Sequence, residues 1–158
     1  MEIKSVDKLG RITIPISIRK KLYITENTML SFSVEENKII LNKVSKLTSN
    51  NNLELLVKTL NKLLNKDIII YDLNKVIATN IKNDHLIVNK KINQEINKRN
   101  KILLPQYQLF KEKEDIYLIP LIKNSYLYGA VIIKTSEINS EQRILVELII
   151  NSYIASNL

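Results

Sequence analysis

The sequence predicts two domains: a small all-β domain over residues 1–46 and an α+β domain with an antiparallel sheet over residues 53–158. Two observations predict this division. Short alternating apolar stretches dominate the first part, whereas helical and strand-like stretches alternate in the second. Between them, residues 46–52 are polar and lack periodicity, as is typical of a linker.

The N-terminal domain is predicted to have four short strands, with a helical turn between the second and the third. The first two strands, within residues 6–14, would meet at Gly10, where a positive φ costs little, and Pro15 would end the second. Residues 28–34 and 38–41 would form a hairpin. So small a set of one-sided strands cannot bury its own apolar face, so we expect dimerisation to complete the core.

The C-terminal domain is predicted to begin with a helix. Its leucines recur at spacings of three, four and three, at Leu53, Leu56, Leu60 and Leu63. This stripe is compatible with packing on its own domain and with pairing to a copy of itself in a second subunit. The sequence leaves both alternatives open.

The rest of this domain is predicted as two hairpins and two further helices. The hairpins cover residues 68–79 and 116–134. One helix covers residues 86–99, with Leu86, Ile92 and Ile96 apolar. The other helix starts after Ser140, which forms half of a capping box with Arg143. Residues 105–114 are expected to be irregular. Five tyrosines are interpreted as packing residues rather than as the lining of a ligand pocket: Tyr71, Tyr107, Tyr117, Tyr126 and Tyr128.

The charge of the chain favours a polyanionic partner. The net charge is +8 and the pI is about 9.5, which suits nucleic acid or an anionic membrane surface. Residues 1–23 carry six basic and two acidic side chains, a net +4, which is half of the excess. The lysines elsewhere are scattered and are interpreted as solvated surface.

Several classes of chemistry are excluded or disfavoured. The chain has no cysteine, so it forms no disulfide or thiolate metal site. Two glycines, Gly10 and Gly129, cannot build a phosphate-binding loop, and the single histidine, His85, is expected at the surface. We therefore expect no enzyme, no metal and no cofactor. The longest uncharged run near the C-terminus, Leu148–Leu158, is too short to span a bilayer, so no membrane partner and a cytoplasmic location are expected.

The run Asp-x-Leu-Gly-Arg-x-x-Ile-Pro at residues 7–15 resembles the DNA-binding domain of the AbrB family of bacterial transition-state regulators. The similarity covers about the first 45 residues. It implies a swapped-hairpin dimer in which two chains interleave their strands. It also implies DNA contacts from four cations: Lys4, Arg11, Arg19 and Lys20. The first position is frequently arginine in that family, and a lysine there lacks the bidentate fork.

Residues 53–158 resemble a GAF domain, by the order of their elements and by the Gly129–Ile133 run. The two halves together resemble the stage V sporulation protein T family of sporulation regulators. That resemblance implies a transcription regulator that binds double-stranded DNA, forms a homodimer or tetramer and responds to a small-molecule effector of unknown identity. The alternative is an antitoxin-like DNA-binding partner of a toxin. It is disfavoured because such antitoxins usually continue into a disordered tail.

Overall fold

The structure is a computed structural model that describes residues 3–22, 24, 26, 28–44, 47, 51–81, 91–109 and 113–158. The chain divides into two compact units, Met1–Val44 and Ser45–Leu158. The linker predicted over residues 46–52 lies mostly outside the described residues, and so do His85 and Leu86. Among the described helices, none has the length and apolar character needed to cross a bilayer.

The first unit contains one short helix and one hairpin. The helix is α1 (Ile16–Lys21), and the hairpin pairs β1 (Leu30–Glu35) with β2 (Lys38–Lys43). Glu35 pairs with Lys38 across a two-residue turn, and Glu36 in that turn has a φ of 52°. Positive φ matches the turns that suit the right-handed twist of paired strands. The predicted hairpin is therefore confirmed.

The two strands predicted within residues 6–14 are not strands in this chain. Residues 3–15 contain a turn instead, closed by bonds from the Asp7 N–H to the Arg11 carbonyl (3.0 Å) and from the Gly10 N–H to the Asp7 carbonyl (3.0 Å). Gly10 has the predicted positive φ, 76°. A strand is stable only where a neighbouring strand pairs with its backbone N–H and C=O groups. No other described strand of the chain pairs with this segment. Pro15 is the N-cap of α1 rather than the end of a strand.

The described residues of the first unit form no buried core of their own. No described residue between 3 and 44 is buried. Phe32 pairs with Leu41 and Val34 with Ile39, which places four apolar side chains on one face of the hairpin. Val34 and Ile39 are each 74% exposed. Such a face is stable in water only when something covers it, as the sequence predicts for a dimer.

The second unit is a five-stranded antiparallel sheet with helices on both faces. The strand order is β4-β3-β7-β6-β5. Its elements in chain order are α2 (Asn51–Leu64), β3 (Ile68–Tyr71), β4 (Val76–Thr79), α3 (Ile92–Asn97), β5 (Ile102–Tyr107), β6 (Glu114–Lys123), β7 (Tyr126–Lys134) and α4 (Ser140–Asn157).

Both predicted hairpins of this unit are confirmed, but β5 was missed and the start of α4 was misplaced. β5 includes Pro105, in a region predicted to be irregular. Proline is tolerated there because β5 is an edge strand, and the pairing shifts register between Leu104 and Tyr107. The N-cap of α4 is Asn139 rather than Ser140, and Asn139 forms a full capping box with Gln142.

The sheet separates two hydrophobic clusters. α2 and α4 pack on one face and α3 packs on the other. Leu53, Leu56 and Leu60 are buried in the first cluster, so these three leucines pack on their own domain, whereas Leu63 is exposed. On the other face, the predicted helix over residues 86–99 is observed as the shorter α3 (Ile92–Asn97), with Ile92 and Ile96 buried, and residues 86–90 of the prediction lie outside the described residues.

Candidate nucleic-acid interface

A compact loop holds Arg11 in a fixed position. Asp7 Oδ1 accepts the N–H groups of Leu9 (2.9 Å) and Arg11 (2.8 Å), and Asp7 Oδ2 accepts the Arg11 Nε–H (2.8 Å). These bonds, the one from the Arg11 backbone foremost, lower the pKa of Asp7 below its usual 3.8. The Arg11 side chain is nevertheless 73% exposed. The loop therefore orients a guanidinium through its Nε and leaves its terminal groups open to another acceptor.

Helix α1 presents the second group of cations. Its last turn carries Arg19, Lys20 and Lys21, all exposed. Basic side chains in the last turn complement the partial negative charge of a helix C-terminus. Ile18 and Leu22, which the sequence places on the opposite face, are also exposed in the single chain. The apolar side of the helix is therefore exposed in the single chain, and its cations face solvent.

The four residues predicted to contact DNA occupy two segments of the first unit. Lys4 and Arg11 lie in the segment before α1, whereas Arg19 and Lys20 are neighbours on the helix. Within the described residues, no hydrogen bond or ion pair joins any two of the four. Sequence reasoning missed the part played by Asp7. Its spacing of four from Arg11 across a glycine was the signal that could have revealed the loop.

The second unit offers a cleft of about 410 Å³ between α2 and β4. Glu54 and Lys58 line it from the helix, and Thr79 and Asn80 line it at the strand end. Charged and polar side chains therefore line this cleft together with apolar ones, among them Val57 and Ile77. Within the described residues, no cluster of histidine, aspartate or glutamate suited to a metal ion occurs.

The tyrosines of the second unit contribute mainly to packing. Tyr71, Tyr117 and Tyr128 are buried, and the rings of Tyr126 and Tyr128 meet edge to face at 4.7 Å. Only Tyr107, among the five predicted, has a buried hydroxyl without a hydrogen-bond partner. Burial is the main cause that raises the pKa above 10.0 for four tyrosines: Tyr71, Tyr107, Tyr117 and Tyr153.

Comparison with known sequences found two similarities to the first unit. Residues 3–49 match the family described as "Antidote-toxin recognition MazE, bacterial antitoxin". The transition state regulatory protein AbrB of Bacillus subtilis (strain 168) is 46% identical over 41 residues, which are 26% of this chain. The match spans 43% of the length of that relative.

Comparison with solved structures concerns the second unit. The GAF domain/HD domain protein from Geobacter sulfurreducens has a TM-score of 0.52 and 10% identity, covering 71% of this chain and 93% of that one. The cofactor-binding GAF domain of the nutrient sensor CodY from Clostridium difficile has a TM-score of 0.52 and 12% identity, covering 72% and 87%. At such identities the likeness concerns the fold alone. The chain thus joins an N-terminal domain of the MazE/AbrB type to a C-terminal α+β domain with the GAF fold.

Proposed function

We propose that this protein is a cytoplasmic transcription regulator of the stage V sporulation protein T type, which binds double-stranded DNA through its N-terminal units. The observation that carries the proposal is the Asp7–Arg11 loop, which fixes an exposed guanidinium in a segment with a net charge of +4. Arginine can bond bidentately to phosphate or to a guanine edge, and nearby lysines add counterion release. Lys4, Arg11, Arg19 and Lys20 are the proposed contacts.

The test is duplex binding at several salt concentrations. We compare the wild type with a variant that carries both Arg11→Ala and Arg19→Ala. Each phosphate contact that is lost flattens the slope of log affinity against log salt by about 0.9. In a dimer the two substitutions remove four cations, so the slope should decrease by up to about 3.6.

A matched control distinguishes the loss of the proposed DNA contacts from the loss of net charge. Lys62→Ala with Lys66→Ala removes two exposed cations from the second unit, so its net charge equals that of the arginine variant. We expect this control to bind like the wild type. Equal salt slopes for all three proteins would contradict the proposed interface.

The same proposal requires a dimer. The exposed apolar side chains of the first unit, Ile12 and Phe32 among them, are its proposed core, interleaved with those of a second chain. Ile12→Asp should remove both dimer and DNA binding, whereas Arg11→Ala should leave the dimer intact. The mass in solution, measured by light scattering, distinguishes the two variants. A folded Ile12→Asp monomer that binds DNA would refute the interleaved arrangement.

For the second unit we propose an effector-binding role rather than catalysis. The cleft lined by Glu54, Lys58, Thr79 and Asn80 supports it, because groups of both charges face a space large enough for a metabolite. A ligand that binds only the folded state raises the unfolding midpoint. A thermal-shift screen of metabolites should yield a hit whose shift is lost in Lys58→Ala. A hit that is unaffected by Lys58→Ala would place the site elsewhere.

The MazE match favours one alternative, an antitoxin-like partner of a toxin. The match ends at residue 49, and the residues beyond it form a folded unit with a sheet and two hydrophobic clusters. Toxin capture by a disordered tail therefore has little support. A stoichiometric small protein that copurifies from native lysate would revive this alternative.

A further inference from the structure

The guanidinium of Arg11 is held by one carboxylate in an exposed loop. Residues 7–11 are all exposed, and among the described residues Asp7 alone hydrogen-bonds this guanidinium, through Oδ2 and the Nε–H at 2.8 Å. The other carboxylate oxygen, Oδ1, accepts the backbone N–H groups of Leu9 and Arg11. One oxygen of Asp7 therefore closes the loop, and the other orients the side chain.

The bond to Asp7 determines which donors of Arg11 remain. A guanidinium has five N–H groups in one plane, and a free arginine can offer a parallel pair of donors from its two Nη atoms or from Nε and one Nη. Because Asp7 accepts the Nε–H, only the pair on the two Nη atoms can contact a second planar acceptor. That pair matches the O6 and N7 acceptors of guanine in the major groove.

The charges favour a base edge over a phosphate as the partner of Arg11. Asp7 offsets the charge of Arg11, and its carboxylate repels an approaching phosphate. A base edge carries no net charge and is recognised by its hydrogen bonds. In the part of the chain that the structure describes, Arg19 and Lys20 form no ion pair with a carboxylate, so their full charge is available to phosphate.

We propose that Asp7 is a positioning residue for sequence recognition: it directs Arg11 to a base edge, while the cations of α1 bind the phosphate backbone. This inference rests on the proposed DNA binding and assigns different contacts to its residues. Asp7 itself contacts no DNA in this arrangement. Its effect on sequence discrimination therefore depends on the presence of Arg11.

Asp7→Asn separates the two bonds made by the carboxylate. The asparagine oxygen can still accept the N–H groups of Leu9 and Arg11, whereas its amide nitrogen is a donor and cannot accept the Arg11 Nε–H. The variant therefore keeps the loop and releases the guanidinium. Glu36→Gln is the matched control, because it removes one negative charge from an exposed position of the same unit and leaves Asp7 in place.

The experiment measures sequence discrimination directly. The full-length wild type first selects its preferred sequence from duplexes with a randomised centre. For each protein, the affinity for the selected duplex is then divided by the affinity for the unselected pool. A bidentate contact to guanine contributes a factor of about 5 to 150 to this ratio. We expect Asp7→Asn to lower the ratio at least about fivefold without weakening binding to the pool, and Glu36→Gln to keep the wild-type ratio.

The Arg11→Ala background distinguishes positioning from maintenance of the loop. If Asp7 acts through Arg11, Asp7→Asn lowers the ratio in the wild type and has no further effect in Arg11→Ala. Equal losses in both backgrounds would overturn the inference, and so would an unchanged ratio in Asp7→Asn that circular dichroism shows to be folded.

A second pair of variants tests the assigned contacts without changing Asp7. Arg19→Ala should keep the ratio and flatten the salt slope for the pool, by up to about 1.8 in a dimer. Arg11→Ala should lower the ratio and change that slope less. The reverse pattern would overturn the inference.

The wild type alone keeps this inference apart from the proposed function. Salt-dependent binding without selection of any sequence would refute base recognition by Arg11 and leave DNA binding intact. Absence of salt-dependent binding to any duplex would refute the proposed regulator together with this inference.

Discussion

Replacing Gly129 by alanine should destabilise the second unit, because the sheet leaves no room for a side chain there. Gly129 lies in β7, which pairs with β3 on one side and with β6 on the other. A Cβ at this position would lie 2.1 Å from the Tyr71 carbonyl oxygen and 3.0 Å from Asp72 Cα. Both contacts are with backbone, so relief requires β3 to move away from β7 by more than about 1 Å.

The expected cost of Gly129→Ala has two parts. Overpacking costs about 1–3 kcal/mol, and each ladder hydrogen bond that is lost between the strands adds about 1 kcal/mol. A total of about 3 kcal/mol would lower the urea midpoint by about 1.5 M when the m-value is about 2 kcal/mol/M. Circular dichroism at a fixed protomer concentration measures this shift, since association also contributes to stability.

Gly10→Ala is the matched control, because Gly10 is the other glycine of the chain. A Cβ at Gly10 would meet nothing within 4 Å, and only its positive φ of 76° opposes alanine. That conformation costs about 1–2 kcal/mol for an L-residue. We expect Gly10→Ala to leave the unfolding of residues 45–158 unchanged. A Gly129→Ala protein with the wild-type midpoint would refute the close approach.

Three further predictions concern pH and capping. The pKa of Asp7 is lowered in the folded state, so its contribution to the loop is present above 3.8 and is lost as the pH falls through the folded-state pKa; a carboxyl NMR titration midpoint at or above 3.8 would contradict the loop geometry. The pKa values of the four tyrosines named above are raised, so their contribution is complete below pH 10.0 and is lost as the pH rises through the raised values; absorbance at alkaline pH should show them ionising later than free tyrosine, and coincidence with free tyrosine would contradict their burial. Asn139→Ala removes the capping box of α4 and should cost about 1 kcal/mol, measured by urea denaturation, whereas Ser140→Ala should cost little because Ser140 is not the cap.

Local pattern was sufficient wherever neighbouring residues decide structure. The hairpins at residues 68–79 and 116–134 follow from apolar runs interrupted by turn residues, and Asn124 and Ser125 adopt the positive φ values that such a turn requires. The leucine repeat predicted α2 correctly, but it did not show which surface buries Leu60, because the same spacing suits a core and a coiled coil.

β5 escaped prediction because its stability comes from a partner distant in sequence. Residues 102–107 contain a proline, which argues locally against a strand, and their pairing with β6 shifts register between Leu104 and Tyr107. Only the pairing with β6 makes this segment an edge strand. The capping error at α4 has a similar origin, since Asn139 and Ser140 are both good caps and the backbone path selects between them.

The sequence alone determined the division into an AbrB-like and a GAF-like part, the basic character of the first 23 residues and the lack of cysteine chemistry. These properties depend on residue type and spacing, which the sequence itself contains. Tertiary structure decided that residues 3–15 pair with no other described strand of the chain, that Asp7 holds Arg11 and that the hairpin of the first unit exposes its apolar face. Those properties depend on which groups remain without a neighbour after folding, and no local pattern records that.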